Sequence, residues 1–297
     1  MNAPLRIAAL LTCYNRKAVT LAALARLFAQ SSVAELTVFL VDDNSPDGTG
    51  EAVRAQFPQV RLLHGDGNLF WCGGMRLAFA AALAEDFDFY LWLNDDTMLE
   101  PDALDRMVSA YRWVCARGDE RAILAGATRD PQTGTTTYGG LVRSSRIHPF
   151  RYSLVQPGRE PKPCLTMNGN CVLVPHSVAA RTGNLSSEFQ HFVGDIDYGL
   201  RARQAGCTVW IAPGYIGTCG WNSSRGSFLD ENLALRQRWR HMMSSKGLPP
   251  REHMKFSRRH GGPLWPIFWT MPYVRIVLYA IRTGLGRKLR RVGTGQP

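Results

Sequence analysis

Acidic residues almost vanish from the end of this chain. Arg236 to Pro297 holds fourteen Lys or Arg and a single acidic residue, Glu252. The first 235 residues hold 21 basic and 23 acidic side chains, so the formal charge of +11 on the 297-residue chain belongs to the tail. A basic body wrapping a nucleic acid is excluded by that split, and the tail alone calls for an anionic partner. None of the seven cysteines (Cys13, Cys72, Cys115, Cys164, Cys171, Cys207, Cys219) forms a C-x-x-C pair, and their number is odd. A zinc ribbon and a disulfide framework are both excluded, which points to a reducing compartment with free thiols. Long apolar runs are lacking too. Ile7 to Leu11 is too short for a secretory leader and leads directly into Tyr14-Asn15-Arg16-Lys17. The longest run, Leu264 to Ile281, is broken by Pro266, Pro272 and Arg275, against the ~20 uninterrupted apolar residues a spanning helix needs. Internal repeats are absent. With 45% hydrophobic and 20% charged residues the chain is nonetheless a folding one, so disorder is excluded.

What is present is alternation. Leu5–Thr12, Leu36–Val41, Gln59–Leu63 and Phe87–Leu93 are apolar runs with the character of strands buried on both faces. Between them, helical spacing covers Lys17–Gln30, a short segment after Gly48, and Cys72–Ala84, and a further helix starts at Glu100-Pro101. This pattern predicts an α/β fold: a mainly parallel central sheet flanked by helices, with ligands outside the carboxyl ends of the strands. After residue 130 the pattern loosens. Gly134–Arg146 reads as a hairpin, Leu165–Val174 as a strand interrupted by Asn168-Gly169-Asn170, Val193–Gln204 as a helix and Thr208–Ile211 as a short strand. The expected organisation is a catalytic domain over residues 1–235, with halves 1–130 and 131–235, and a basic extension over 236–297.

Three acidic sites fall at element ends. Asn94-Asp95-Asp96 closes the fourth strand. Adjacent carboxylates repel, and hard oxygen ligands at a sheet edge suit Mg2+ or Mn2+ shared with a substrate's phosphates. A polar turn with one Asp capping the next helix explains the same residues. Asp42-Asp43-Asn44-Ser45 closes the second strand, either as a solvated turn or as an acceptor for a base or ribose. Gly194-Asp195-Ile196-Asp197 opens a helix. Two residues apart, Asp195 and Asp197 lie roughly 200° around it, so only one can face a cleft. The other caps the helix or pairs with Arg201, and the cleft-facing carboxylate can act as a general base.

These sites, in this order, resemble glycosyltransferase family 2, the inverting nucleotide-sugar transferases of the GT-A fold. The matching pieces are Thr12-Cys13-Tyr14-Asn15-Arg16, Val41-Asp42-Asp43-Asn44-Ser45, Asn68 through Arg76, Trp92-Leu93-Asn94-Asp95-Asp96-Thr97, and Val193 through Gly206. The resemblance spans roughly residues 5–220. It implies that Thr12, Tyr14, Asn15, Asp42 and Asp43 surround the donor nucleoside, Arg76 approaches the diphosphate, Asp95 faces the ribose or sugar, and Asp96 binds the divalent cation. It also implies that Asp195 is the catalytic base. Two departures stand out. Gly194 precedes the base where the family often has Glu, and Cys219 stands about where the family often has a metal- or diphosphate-contacting histidine. A soft sulfur suits Mg2+ poorly, which leaves Cys219 outside the expected metal shell.

On the acceptor side, Trp71, Asn168, Asn170 and His191 are candidates. Each has a plain structural explanation as well: a core Trp, turn-forming Asn residues, a satisfied His. In the tail, Val274, Val277, Leu278, Ile281 and Leu285 follow helical spacing beside Arg275, Arg282, Arg287, Lys288, Arg290 and Arg291. Trp265, Trp269 and Tyr273 lie upstream, and such aromatics favour membrane interfaces. The expectation is a basic amphipathic helical tail on an anionic membrane surface, with packing on the catalytic domain or a homodimer contact as alternatives. No nucleic-acid recognition motif appears.

The sequence therefore predicts a metal-dependent inverting glycosyltransferase that uses a nucleotide sugar and a glycan or lipid-linked acceptor. It would build a surface polysaccharide or glycolipid on the cytoplasmic, inner face of the cell membrane. A sugar-phosphate nucleotidyltransferase is the other enzyme class with this sheet and metal logic. Thr12-Cys13-Tyr14-Asn15 stands where that class needs a Gly-rich loop with a basic residue. The third class is a non-catalytic membrane-associated protein.

Overall fold

The computed structural model describes residues 4–31, 34–221 and 224–292. In chain order the elements are β1 (Arg6–Cys13), α1 (Lys17–Phe28), β2 (Glu35–Asp42), α2 (Thr49–Gln56), β3 (Arg61–His64), α3 (Phe70–Leu83), β4 (Phe89–Leu93), β5 (Met98–Leu99), α4 (Ala103–Cys115) and β6 (Ala122–Arg129). There follow β7 (Thr136–Tyr138), β8 (Gly140–Arg143), β9 (Tyr152–Leu154), β10 (Lys162–Cys164), β11 (Thr166–Met167), β12 (Cys171–Pro175), α5 (His176–Thr182), α6 (Gly194–Gln204) and β13 (Thr208–Thr218). The last helices are α7 (Leu235–Met243), α8 (Pro250–His260) and α9 (Trp265–Val292). The chain divides into two compact units, one of Met1–Ile147 with Arg151–Trp221, the other of His148–Phe150 with Asn222–Pro297.

The first unit is built on one sheet of order β10-β13-β6-β12-β4-β1-β2-β3. β3, β2, β1 and β4 run parallel, β12 runs against both β4 and β6, and β6 and β13 are again parallel. The apolar run of β1 explains itself here. Ile7, Ala9 and Leu11 face one layer with Leu24, Leu27 and Met107, and Ala8 and Leu10 face the other with Met75 and Phe79. A strand with a full layer on each side must be apolar at every position. Each large side chain so buried contributes about 1.5–3 kcal/mol. The second layer centres on an aromatic cluster in which the rings of Trp92 and Tyr198 lie 4.8 Å apart and those of Phe79 and Tyr90 lie 5.0 Å apart.

Two sequence expectations change. Gly134–Arg146 is not a hairpin, because β7 pairs with β6 whereas β8 pairs with β11 and β9 in a separate small sheet. Gly139, at φ 152°, stands between them and lets the chain change sheets. The short strand at Thr208 continues to Thr218, passing an irregularity between Ile211 and Tyr215. Pro213 and Gly214 occupy that irregularity, where a residue without an N–H is tolerated and the run looks interrupted from sequence.

In the second unit, α7 and α8 pack with α9. Phe150, Phe256 and Phe268 form an aromatic centre, Trp269 Nε1 donates to the Pro250 carbonyl, and Tyr273 Oη donates to the Leu248 carbonyl. Among the described residues no helix is long and apolar enough to cross a membrane. The side chains of Ile281, Arg282, Leu285, Arg287, Lys288, Arg290 and Arg291 lie outside those described.

Candidate active site

The carboxyl ends of the parallel strands β1, β2 and β4 carry Tyr14, Asn15, Asp43, Asp95 and Asp96. Asn94, Asp95 and Asp96 follow β4 directly. The Asn94 N–H donates to the Asn170 carbonyl at 2.9 Å, which fixes the Asn168-Gly169-Asn170 turn beside the strand end. Asp95 is 5% exposed and accepts hydrogen bonds from Arg16 Nη1 (2.8 Å) and Thr20 Oγ1 (3.3 Å). Asp96 accepts from Arg16 Nη2 at 2.8 Å. Burial, with some repulsion from Asp96, pushes the Asp95 carboxyl up to about 6 despite the attraction of Arg16. Cys219, at the end of β13, donates its thiol to Asp96 Oδ1 at 3.5 Å, and Asn170 Nδ2 lies 3.5 Å from its sulfur. Burial first, then the Asp96 charge, push that thiol up to about 12, so it stands as a neutral S–H beside the carboxylate.

Asp195 opens α6. Its Oδ2 accepts the Gly169 N–H and its Oδ1 accepts the Ile196 N–H, both at 2.8 Å. Burial raises its pKa against the opposing pull of those backbone N–H groups. Asp197 points the other way, as the 200° argument requires, and pairs with Arg201 Nε at 2.8 Å while fully buried. Trp71, in the first turn of α3, donates Nε1 to Asn94 Oδ1 at 2.7 Å and sets its edge on Trp92. A side chain added at Gly169 would collide with the Trp71 ring, and its Cβ would lie 3.2 Å from the Asp195 Cβ. Gly169 is thus the point at which Trp71, Asp195 and the turn meet. Its reason for being glycine is close approach.

A second group surrounds Asp42 and Asp43, which are 5% and 4% exposed. Asp43 accepts the N–H groups of Gly67 (2.9 Å), Leu69 (3.0 Å) and Phe70 (3.2 Å), so its carboxylate organises the loop before α3. Asp42 accepts the Ser45 N–H at 3.0 Å. The Asn15 N–H donates to Ser45 Oγ at 2.9 Å, and Tyr14 is 51% exposed beside it. Thr12 lies against Gly74, where a Cβ would overlap the Thr12 side chain, so α3 packs closely on β1. Arg76 presents a buried Nη1 that has no hydrogen-bond partner among the described residues. A guanidinium N–H left so is costly, and an anion would satisfy it. His191 is exposed and sets its ring edge-on to Phe70, while the Asn168 N–H is held by the Gly139 carbonyl.

Contacts therefore link Arg16, Trp71, Asn94, Asp95, Asp96, Gly169, Asn170, Asp195 and Cys219 into one patch. Arg16 is the member that sequence reasoning left without a role, since its partners lie 79 and 80 positions away. Asn94, beside the aspartates in sequence, joins them to Trp71 and Asn170. Gly169, a glycine between two asparagines, carried a weak signal of a close backbone approach. Among the described residues no set of three His, Cys, Asp or Glu side chains converges as a metal cage. The donor set still fits Mg2+ or Mn2+, which take one or two carboxylates and fill their other positions with water and phosphate oxygens. A guanidinium lying across both carboxylates marks the pair as a seat for positive charge.

Comparison with known proteins bears on the family and the fold. The N-acetylglucosaminyl-diphospho-decaprenol L-rhamnosyltransferase of Mycobacterium tuberculosis, in strains CDC 1551 and H37Rv, is 26% identical over 218 residues, which cover 64% of this chain and 68% of the relative. The solved structure of mannosyltransferase PcManGT from Pyrobaculum calidifontis, in complex with GDP-Man and Mn2+, superimposes with a TM-score of 0.55 at 14% identity. It covers 99% of this chain and 77% of its own, which supports the GT-A fold. The family model for glycosyl transferase family 2 matches residues 9–159, about half of the chain and the half that carries the β1, β2 and β4 strand ends. The chain is therefore a glycosyltransferase and belongs to glycosyltransferase family 2.

Proposed function

We propose that the protein moves a sugar from a nucleotide-sugar donor to a hydroxyl group of a lipid-linked glycan, with inversion at the anomeric carbon and the help of a divalent cation. The observation that carries this reading is the patch joining Asp195 to Asp95 and Asp96 across Gly169, Trp71 and Asn94. It offers a proton acceptor on one side and a seat for positive charge on the other. Asp195 takes the proton of the acceptor hydroxyl as that oxygen bonds to the anomeric carbon. The bond from that carbon to the diphosphate breaks, and the departing nucleoside diphosphate keeps the electron pair. Backbone N–H groups of Gly169 and Ile196 hold the carboxylate in place, and its raised pKa strengthens it as a base.

Arg76, with its unpartnered Nη1, faces the diphosphate; Thr12, Tyr14, Asn15, Asp42 and Asp43 shape the nucleoside pocket. The part of Asp43 is indirect, through the loop it organises. A divalent cation held by Asp96, with Asp95 beside it, supplies offsetting charge to the leaving group when bound. Trp71, Asn168, Asn170 and His191 line the acceptor side. The name of the tuberculosis relative specifies an L-rhamnosyl group and a diphospho-decaprenol-linked acceptor. A deoxyhexose donor and a polyprenyl-diphosphate-linked acceptor are accordingly the first choices here.

The second unit makes the membrane contact of such an enzyme, at the inner face of the cell membrane. Ile267, Met271, Val274 and Leu278 are 53%, 38%, 53% and 59% exposed and follow one another at spacings of four and three. That is a continuous apolar stripe along α9. The tail's excess of cations supplies the complement to anionic lipid.

The test is release of nucleoside diphosphate from a panel of nucleotide sugars with Mn2+ and a polyprenyl-diphosphate-linked sugar. Asp195→Asn should bind donor and lose turnover by about 10²–10⁴-fold. Full activity in that variant removes Asp195 from the chemistry, and release of diphosphate from a nucleoside triphosphate would mark a nucleotidyltransferase instead.

A further inference from the structure

Arg16 stands at the start of α1 and lays its guanidinium across the two carboxylates that follow β4. Nη1 is 2.8 Å from Asp95 Oδ1 and Nη2 is 2.8 Å from Asp96 Oδ2. The planar fork of arginine matches two oxygens side by side, which a lysine ammonium does not. Adjacent carboxylates repel, and a cation lying across both relieves that repulsion. The backbone around Arg16 is fixed. The Asn15 N–H is tied to Ser45 Oγ at 2.9 Å and the Lys17 N–H to Asp47 Oδ2 at 2.9 Å. The side chain is different: it is 45% exposed, against 6% for Asp95 and 21% for Asp96. A fixed base with a solvent-facing arm can swing away without disturbing the fold.

We infer that Arg16 is a resident cation that competes with the divalent ion for Asp95 and Asp96, so that the ion enters only as the guanidinium swings off. This rests on the metal-assisted reading above. The physical ground is exclusion. A divalent ion binds carboxylate oxygen at about 2.0–2.6 Å, and a guanidinium on the same oxygens both blocks that approach and repels the ion. Arg16 is thus a positioning residue that sets how readily the metal binds. Entry of the ion requires two part-exposed ion pairs to break, which corresponds to about a tenfold loss in metal affinity.

The experiment titrates the full chain with Mn2+ alone and follows the electron paramagnetic resonance signal of free Mn2+, with thermal melts to show that each variant is folded. Arg16→Gln should bind Mn2+ about tenfold more tightly than the unmodified protein. Arg16→Lys should fall between them, because an ammonium spans one carboxylate at a time. Adding Asp96→Asn to Arg16→Gln should abolish the gain, which places it at this pair. A residue needed only to hold the fold would give the opposite sign. Equal or weaker Mn2+ affinity in folded Arg16→Gln overturns the inference and leaves the metal reading standing. Failure of Arg16→Gln to bind Mn2+ at millimolar concentration overturns both. Should Arg16→Gln not fold, an affinity in Arg16→Lys equal to or below that of the unmodified protein overturns the inference.

Discussion

Gly169→Ala is the substitution whose consequence the geometry fixes most closely. The added Cβ would stand 2.5 Å from Cη2 of Trp71 and 3.2 Å from the Asp195 Cβ. Carbon atoms settle about 3.5–4.0 Å apart, so a gap of about 1 Å must open. The Trp71 ring cannot give cheaply. Its Nε1 is bonded to Asn94 Oδ1 at 2.7 Å and its edge lies on the buried Trp92, with ring centroids 6.2 Å apart. If the turn moves instead, it takes with it the Gly169 N–H that holds Asp195 and the Asn170 carbonyl that holds Asn94. Either response displaces the Asp195 carboxylate from its neighbours. Overpacking of this kind costs about 1–3 kcal/mol of stability. A 1 Å misplacement costs about 10²-fold in turnover. The assay pairs the rate of nucleoside diphosphate release, with the donor the panel selects, with the melting temperature. In a Trp71→Leu background the same alanine should cost markedly less, because the obstructing ring is gone. A folded Gly169→Ala protein with unchanged kcat refutes the reasoning.

Four further outcomes follow from the same geometry. Because burial raises the Asp195 pKa, the acid limb of kcat/KM should lie above the ordinary carboxylate value of 3.8, with activity falling as pH drops and the base is protonated; a pH-rate profile flat down to that value contradicts it. Asp95, held at about 6 against 3.8, favours folding most when protonated: its contribution is full below about pH 4 and is lost as pH rises through 6, a cost of up to about 3 kcal/mol at pH 7. Asp95→Asn should therefore raise the melting temperature at pH 7 and not at pH 4. Asp43→Ala strands three N–H groups and should cost about 1–3 kcal/mol while speeding hydrogen exchange at Gly67, Leu69 and Phe70. Leu278→Glu, on the exposed stripe, should weaken co-sedimentation with anionic vesicles without lowering the melting temperature, whereas a loss of dimer without a loss of vesicle binding would assign the stripe to a second copy.

The parts legible in the sequence are those whose physics is local. Strands buried on both faces must be apolar throughout, so β1, β2 and β4 announce themselves, and the acidic residues that follow them fall at the strand ends by simple counting. The rotation of Asp195 from Asp197 is likewise a property of any helix. What was not legible depends on partners far along the chain. Nothing near Arg16 says that it reaches Asp95 and Asp96, and nothing near Gly169 says that an indole lies on it. The tail shows both sides of this limit. Spacing places Trp269, Tyr273 and Ile276 on the side of α9 opposite Ile267, Met271, Val274 and Leu278, but it does not say which side packs inward. Trp269 and Tyr273, expected at a membrane interface, turn toward α8 and the Leu248 carbonyl, leaving the aliphatic side exposed.

Backbone strain is the last element that no sequence pattern announced, and it gathers around the same residues. Among the described residues four non-glycine positions have positive φ: Asn15 (53°), Asn44 (60°), Phe70 (52°) and Val193 (48°). Asparagine tolerates that region, but a β-branched valine or a bulky phenylalanine does not, and such residues cost about 1–3 kcal/mol each. Stability alone would have placed glycine there. The four positions are not scattered. Asn15 precedes Arg16, Phe70 precedes Trp71, Val193 stands two residues before Asp195, and Asn44 precedes Ser45, whose hydroxyl holds the Asn15 N–H. Folding energy is given up beside Arg16, Trp71 and Asp195, which is where a fold that had only to be stable would have no reason to give it up.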